Sequence, residues 1–589
     1  MHGDRNYNKE DDFIVSYNYE QGLDEGIRKS SGVYYTPKFI VEYIMEKTLY
    51  KHDIIENPYP KVFDLSCGCG NFLLVAYDVL YSKFKENLER LSNIYGENYW
   101  NEANIHNHII KNCLYGTDID SEAINILRKS LSNKTNVNYE ESIYKKNILC
   151  IDALNYDCDY KFDYIIGNPP YVGHKNIDKE YREFLSQNYS EVYKDKSDLY
   201  FCFIKRIVEL LSDCGKSSII TPRYFLESPS AKDLRKYIDE NISIEECVDF
   251  LGANIFKNVG ISSCILTFNK QNQKKFDDVY RTLDEDIDIK KIKKLSIYIK
   301  SDKFEHLKIK RSYQDGDWII VDEDSEKFYT MIQNKCTYEL GDIVESFQGV
   351  ITGCDKAFIY NREDKRLDKV NNRFIKKWVK NKNIQKYCVD SSEFRLVYSN
   401  AIEDGEELDY FKSIINEYKE KLENRRECKK SIRKWYELQW GRSEELFERV
   451  KIMYPYKSRE NKFAIDYDFN FSSADVYSFS IKEEYLDEFS YEYLVGILNS
   501  SVYDKYYKIT AKKMSRGIYD YYPNKVLKMK IFKGENYKKI ESLSKEIIFE
   551  IKHKSQHRIQ NTEYLKSELD ELILESLCLE KINMVKYNS

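Results

Sequence analysis

Between residues 39 and 268, short apolar runs alternate with helix-patterned stretches, and this alternation restricts the fold more than any other feature of the chain. Helix-like Phe39–Leu49 precedes strand-like Lys61–Leu65, and the helical run Phe72–Tyr81 follows. Strand-like Cys113–Thr117 is followed by helical Ser121–Leu131. Then come strand-like Asn147–Cys150 and Tyr164–Gly167, helical Leu199–Leu211, and strand-like Ser217–Thr221, Ile244–Phe250 and Ser263–Phe268. Repeated strand–helix units imply an α/β fold, a doubly wound sheet with helices on both faces. Ligand sites in such sheets lie beyond the carboxyl ends of the strands, so functional residues are expected just after strands. Around Asn269–Asp288 the pattern dissolves into polar residues, which sets an expected boundary near residue 275. The reading is an extension over 1–30, an α/β domain over 31–275 and an α+β domain over 276–589. The last includes a helical tail at Tyr537–Leu579, where Ile540, Leu543 and Ile547 share helical spacing.

Asn168-Pro169-Pro170-Tyr171 follows the apolar run FDYIIG. An aromatic amine is a poor nucleophile because its lone pair is delocalised into the ring. Two acceptors aimed at its protons, the Asn168 side-chain oxygen and the Pro169 carbonyl, would favour a tetrahedral and more nucleophilic nitrogen. Consecutive prolines fix φ and hold that carbonyl in place, and Tyr171 offers a flat face for an extruded base. An Asn-Pro turn is the bland alternative.

Of the 589 residues, 42% are hydrophobic and 32% charged, an ordinary globular balance with material for more than one core. Met1–Asp12 is polar and acidic, without a signal-peptide pattern, and no apolar run of about 18 residues exists. A cytoplasmic protein that does not enter membranes is expected. The 14 cysteines contain no Cys-x-x-Cys pair, and Cys202 and Cys264 sit in apolar runs, so reduced buried thiols are expected. Cys67 and Cys69 lack a second ligand pair at zinc spacing, so no metal is expected. The net charge of −6 does not announce nucleic acid, but a basic face rather than a basic total is what phosphate requires.

The NPPY run resembles the fourth motif of the amino-methyltransferases, and the other motifs follow in order. VFDLSCGCGNF (Val62–Phe72) resembles the cofactor loop, with Leu65 where proline is usual, and GTDID (Gly116–Asp120) and CIDAL (Cys150–Leu154) resemble the next two motifs. GVYYTPKFIVEYI (Gly32–Ile44), SDLYFCF (Ser197–Phe203), SSIITPRYF (Ser217–Phe225) and NIFKNVGISSCILTF (Asn254–Phe268) resemble further motifs in register. With the cofactor loop first, NPPY second and a recognition region last, the chain resembles the gamma-ordered, TaqI-like DNA adenine-N6 methyltransferases. The resemblance implies a Rossmann-like class I methyltransferase domain followed by a target-recognition domain. It implies S-adenosyl-L-methionine as cofactor, S-adenosyl-L-homocysteine as product, and double-stranded DNA as substrate. Tyr34, Thr36, Pro37, Asp64, Gly68, Gly70 and Phe72 would border the cofactor's methionine end. Asp118 beside Ile119 would accept from the ribose hydroxyls, Asp152 beside Ala153 from the cofactor's adenine amine, and Asn168 would reach the same cleft. Phe256 would face Tyr171 across the target base. For Thr36 with Pro37 the bland alternative is a helix cap; for Asp118 and Asp152 it is capping, and for Phe256 a core position. Over its whole length the chain resembles orphan adenine methyltransferases of sporulating clostridia, a group associated with the site CAAAAA methylated at its last adenine.

ENRRECKKSIRKWY (Glu423–Tyr436) carries Arg425, Arg426, Lys429, Lys430, Arg433 and Lys434. If this segment is helical, several of these would share a face and could track phosphates. Trp435, Tyr436 and Trp440 are interleaved, and Tyr454, Tyr456, Lys457, Lys512 and Lys513 continue the basic-aromatic pattern expected of a nucleic-acid groove. A solvated basic helix with core aromatics is the alternative. A protein or RNA N-methyltransferase would not need the long second domain, and a non-enzymatic nucleotide-fold protein would not need NPPY. About 30 residues precede the first motif, so no N-terminal nuclease is expected, while a separate partner nuclease stays open. A monomer with no obligatory protein partner is expected.

Overall fold

The computed structural model describes residues 15–19, 22, 36–135, 140–194, 197–253, 255–256, 261–270, 278–283, 292–312, 317–514, 517–553 and 556–579. The chain divides into two compact units, Met1–Asp322 and Glu323–Ser589.

The first unit is built on a ten-stranded sheet. Its strands are β1 (Val62–Asp64), β2 (Leu114–Asp118), β3 (Ile148–Cys150), β4 (Phe162–Gly167), β5 (Leu211–Pro222), β6 (Ser243–Asp249), β7 (Ser263–Asn269), β8 (Asp278–Thr282), β9 (Phe304–Ser312) and β10 (Asp317–Val321). Their spatial order is β10-β9-β8-β6-β7-β5-β4-β1-β2-β3. β1 pairs in parallel with β2 on one side and β4 on the other, while β7 runs antiparallel between β5 and β6. The chain winds outward from β1 to β3 and then returns to lay down β4. The crevice beyond β1 and β4 is therefore the switch point at which open α/β sheets bind ligands.

Both faces of the sheet are covered. Helix Asn71–Glu86 buries Phe72, Leu73, Ala76, Tyr77, Leu80 and Phe84, a stripe at helical spacing. Helix Ser121–Ser132 buries Ala123, Ile124, Leu127 and Leu131, and Asp120 caps it by accepting from the amides of Glu122 and Ala123. On the other face, helix Leu199–Leu210 packs Phe203, Ile207 and Leu210 against Ile165 and Ile219 of the sheet.

The boundary expected at residue 275 is corrected to 322/323. β8, β9 and β10 lie beyond the polar tract and extend the same sheet, β8 pairing in parallel with β6. The misleading signal is local. The tract around residue 275 is hydrophilic, but it connects strands of one sheet rather than two units.

The second unit is α+β. A five-stranded sheet runs in the order Val344–Gln348, Val476–Ile481, Lys451–Pro455, Ala464–Asp466, Tyr387–Cys388. Helices Tyr491–Asn499, Ser501–Thr510, Tyr537–Lys552 and Gln556–Ser576 pack with it around a tyrosine-rich core. Buried tyrosines there find acceptors: Tyr493 donates to the Phe532 carbonyl, Tyr507 to the Asp520 carbonyl and Tyr521 to Asn461 Oδ1. Among the described residues, no helix is long and apolar enough to cross a membrane.

Candidate active site

The carboxyl ends of β1, β2 and β4 bring four sequence motifs into one cleft. After β1 the backbone turns sharply. Gly68 has φ +51° and Gly70 φ +95°, and a Cβ on Gly70 would lie 2.2 Å from Leu127 Cδ1. Only glycine allows this turn to close onto the helix below it. Asp118, at the end of β2, fixes the loop from across the cleft: its Oδ2 accepts from the Gly68 amide at 2.8 Å and its Oδ1 from the Asp120 amide at 2.9 Å. Burial raises the Asp118 carboxyl above its ordinary range. Ile119 beside it is 70% exposed, an apolar side chain presented at the strand end.

Asp64, ending β1, is 1% exposed. Its Oδ1 accepts from the Ser66 amide at 3.0 Å, and its Oδ2 is a buried oxygen with no partner among the described residues. Burial pushes this carboxyl up to about 8. It lies directly under Gly167, where a Cβ would come within 2.5 Å of Asp64 Oδ1. The last residue of β4 must therefore be small for β1 and β4 to converge.

The NPPY corner begins immediately beyond Gly167. Ser66 Oγ donates to the Asn168 carbonyl at 3.2 Å, tying the glycine-rich loop to the corner. Asn168 Nδ2 donates to Thr36 Oγ1 at 3.2 Å. With Nδ2 on the Thr36 hydroxyl, Oδ1 is turned the other way. The capping alternative for Thr36 fails. Helix Lys38–Lys47 starts after Pro37 with no side-chain cap, and Thr36 is engaged with Asn168 instead. Pro169 is buried and Pro170 half-buried. Tyr171 and Phe256 meet edge to face, with ring centroids 6.1 Å apart and planes at 77°. Asp152, after β3, accepts from the Leu154 amide at 2.9 Å and from the Tyr181 hydroxyl at 2.7 Å, and Ala153 beside it is buried. Tyr34 lies outside the described residues.

Three participants carried no signal in a motif-by-motif reading. Ser66 sits inside the cofactor-loop run but is not one of its glycines. Tyr19, from the N-terminal stretch, donates to Asp120 Oδ2 at 2.7 Å over a separation of 101 residues. Asp198 is the second residue of the SDLYFCF run. It bridges Gly173, burial pushes it up to about 6, and its Oδ1 has no partner among the described residues. A charged residue near the start of an otherwise apolar run was the available clue.

The basic segment of the second unit departs from expectation. It is not one helix: helix Lys419–Glu423 ends, a single turn spans Arg426–Lys429, and Ser431 takes φ +56°. Arg425 is corrected from a phosphate contact to an internal tie. Its guanidinium donates to the carbonyls of Leu422 (3.0 Å), Thr352 (3.1 Å), Trp435 (2.9 Å) and Glu437 (2.9 Å). Tyr454 is likewise corrected. It is fully buried on the central strand Lys451–Pro455, against Phe463, Tyr477 and Phe479. Arg426, Lys429, Lys430 and Lys434 are exposed, whereas Arg433, Tyr456, Lys457, Lys512 and Lys513 are half-buried. Arg433 lies over the Trp440 ring and Lys457 over Tyr456. Arg425→Ala is expected to destabilise the second unit by about 3 kcal/mol, because it leaves several carbonyls without a donor. Arg426→Ala is expected to be nearly neutral, and urea unfolding of both variants measures the difference.

Residues 112–256 match the Eco57I restriction-modification methylase family, and residues 376–531 match the TaqI-like C-terminal specificity domain. The type II restriction enzyme and methyltransferase RM.Eco57I of Escherichia coli is 26% identical over 281 residues, covering 41% of this chain and 28% of that protein. The type II methyltransferase M.BstVI of Geobacillus stearothermophilus is 27% identical over 363 residues, covering 56% of this chain and 60% of that one. The chain thus spans less than two thirds of either relative. Among solved structures, the type IIL restriction-modification enzyme MmeI in complex with DNA superposes with a TM-score of 0.63 at 15% identity, over 96% of this chain and 79% of that one. The fold is that of the S-adenosylmethionine-dependent methyltransferases with a TaqI-like specificity domain, and the chain is a relative of the type II restriction-modification methyltransferases.

Proposed function

We propose that this relative of the type II modification enzymes is a site-specific DNA methyltransferase acting on the exocyclic N6 of a flipped-out adenine. The observation that carries the reading is the tie between cofactor loop and NPPY corner, through Ser66 and Asn168, at the sheet's switch point. The cleft fits S-adenosylmethionine. A glycine turn opens the backbone, Asp118 retains unused lone pairs beside an exposed isoleucine, and the buried Asp64 Oδ2 is orphaned where a cationic methionine head would satisfy it. When bound, this cofactor supplies an electrophilic methyl on sulfur.

The chain's own residues do the rest. Asn168 Oδ1 and the Pro169 carbonyl accept the two N6 protons and concentrate electron density on that nitrogen. Tyr171 and Phe256, which meet edge to face in the free protein, part to take the base plane between them. Bound S-adenosylmethionine would supply the methyl, its carbon–sulfur bond breaking as the N6 lone pair takes up the carbon, with S-adenosylhomocysteine as the other product and one N6 proton passing to solvent. Positioning and exclusion of water supply most of the rate enhancement, and no covalent enzyme intermediate is required. The second unit binds duplex DNA, with Arg426, Lys429, Lys430 and Lys434 as its phosphate contacts and Arg433, Tyr456, Lys457, Lys512 and Lys513 beside them. The target is an A-rich asymmetric site, CAAAAA by resemblance, and the enzyme acts as an orphan methyltransferase.

Single-molecule sequencing of DNA from cells expressing the protein tests this directly. N6-methyladenine in one recurring context is expected. Unmodified DNA together with a methylated protein or RNA would overturn the reading.

A further inference from the structure

We propose that Arg223, Asp249 and Arg281 form a clamp that closes the base of the 250–262 connection and thereby sets the position of Phe256 against Tyr171; this rests on the adenine-methyltransferase reading. The connection leaves β6 after Asp249 and returns at β7, and Arg223 grips both of its ends. At the outgoing end, Arg223 Nε donates to Asp249 Oδ1 at 2.7 Å and Nη2 to Oδ2 at 3.1 Å. At the returning end, the Arg223 amide donates to the Ser262 carbonyl at 3.0 Å. Asp249 is completely buried and also accepts from Arg281 Nε at 2.9 Å and from the Leu251 amide at 3.0 Å. This last bond holds Leu251 at φ +45°, a conformation that a leucine does not adopt unaided. The Phe250 amide donates to the Ser263 carbonyl and the Ala253 amide to the Phe250 carbonyl, so the strained turn is pinned on three sides. Phe256 follows three residues after Ala253 and is 3% exposed.

General stabilisation does not explain such a cluster. Burying two guanidiniums and a carboxylate costs several kcal/mol per ion in desolvation, and well-packed apolar side chains usually serve stability as well or better. What the ions provide is direction: a planar fork matched to a carboxylate fixes geometry that apolar contacts leave loose. Arg223 also holds Glu227, at 2.9 Å through Nη2, so its own plane is set from two sides. These are positioning residues, acting on the base through Phe256.

The test uses the full-length protein and a duplex carrying the sequenced target site with 2-aminopurine at the target adenine. Asp249→Asn keeps the shape and weakens the clamp. Leu251→Gly leaves the ions intact and frees the turn. In both variants S-adenosylhomocysteine affinity is expected to stay near wild type, while 2-aminopurine emission falls and kcat drops, on the order of 10²-fold for Asp249→Asn. Arg223→Lys, which keeps the charge but loses the fork, should not restore the wild-type values. Wild-type emission and kcat in either variant that still binds S-adenosylhomocysteine would overturn the clamp. So would parallel loss of S-adenosylhomocysteine binding and transfer in Leu251→Gly, which would mark the loop as general scaffold. If Asp249→Asn fails to fold, Leu251→Gly decides alone. A wild-type protein that methylates no DNA sinks the adenine reading and the clamp with it, whereas a competent wild type matched by its variants sinks only the clamp.

Discussion

Asn168→Ala should lower methyl transfer to DNA by on the order of 10²–10³-fold while leaving S-adenosylmethionine affinity close to wild type. The size follows from removing one preorganised polar contact to a group whose charge changes in the transition state. The selectivity follows from the geometry: Asn168 touches Thr36 and the loop through Ser66, but the glycine turn is held by Asp118, which the substitution leaves intact. Asn168→Asp separates two explanations. It retains an oxygen acceptor, and the Thr36 hydroxyl can reverse its hydrogen bond to donate to it. It should therefore keep far more activity than alanine. Single-turnover rates alongside equilibrium cofactor binding measure both. Equal losses in the two variants would show that the amide matters for packing rather than for accepting from N6.

Cofactor affinity should weaken about tenfold for each pH unit below 8 and level off above it, because a cationic ligand favours the ionised form of a carboxyl that burial pushes up to about 8. At pH 6 the loss would approach about 100-fold, and Asp64→Asn should flatten the profile. The folded-state value lies above the ordinary carboxylate range, so the free protein holds a proton that the unfolded chain releases. Its stability should decline as the pH rises from about 4 towards 8, and the cofactor should reverse that decline by binding the ionised form. Calorimetry in buffers of different ionisation heat should register proton release on binding near pH 7. A pH-independent dissociation constant between 6 and 9 would show that the Asp64 carboxyl does not meet the ligand's charge.

What could be read from the chain, and what could not, divides on physical grounds. The strand–helix alternation and the turn signals after each strand are short-range patterns, and the structure reproduces them from Val62 to Asn269. Asp64 and Asp118 end strands and Asn168 directly follows one, and strand ends converge in this topology. Tyr171 and Phe256 meet edge to face although they lie 85 residues apart. The failures concern where long side chains end. Arg425 reads as a phosphate cation until Thr352, 73 residues away, is seen to offer its carbonyl. Tyr454 reads as an exposed aromatic until its strand is found in the middle of a sheet. Arg223 and Asp249 are individually unremarkable in the sequence, and their partnership exists only through strand order.

The three antiparallel or outlying strands beyond β6 have a practical consequence for anyone dividing this protein. A fragment cut in the hydrophilic tract near residue 275 would discard β8, the neighbour of β6, along with β9 and β10, and leave an unpaired ladder of backbone donors and acceptors facing water. It would also delete Arg281 and leave Asp249 with half its guanidinium support. Such a piece would tend to self-associate through its bare margin, so a soluble fragment of the first unit has to extend through Val321.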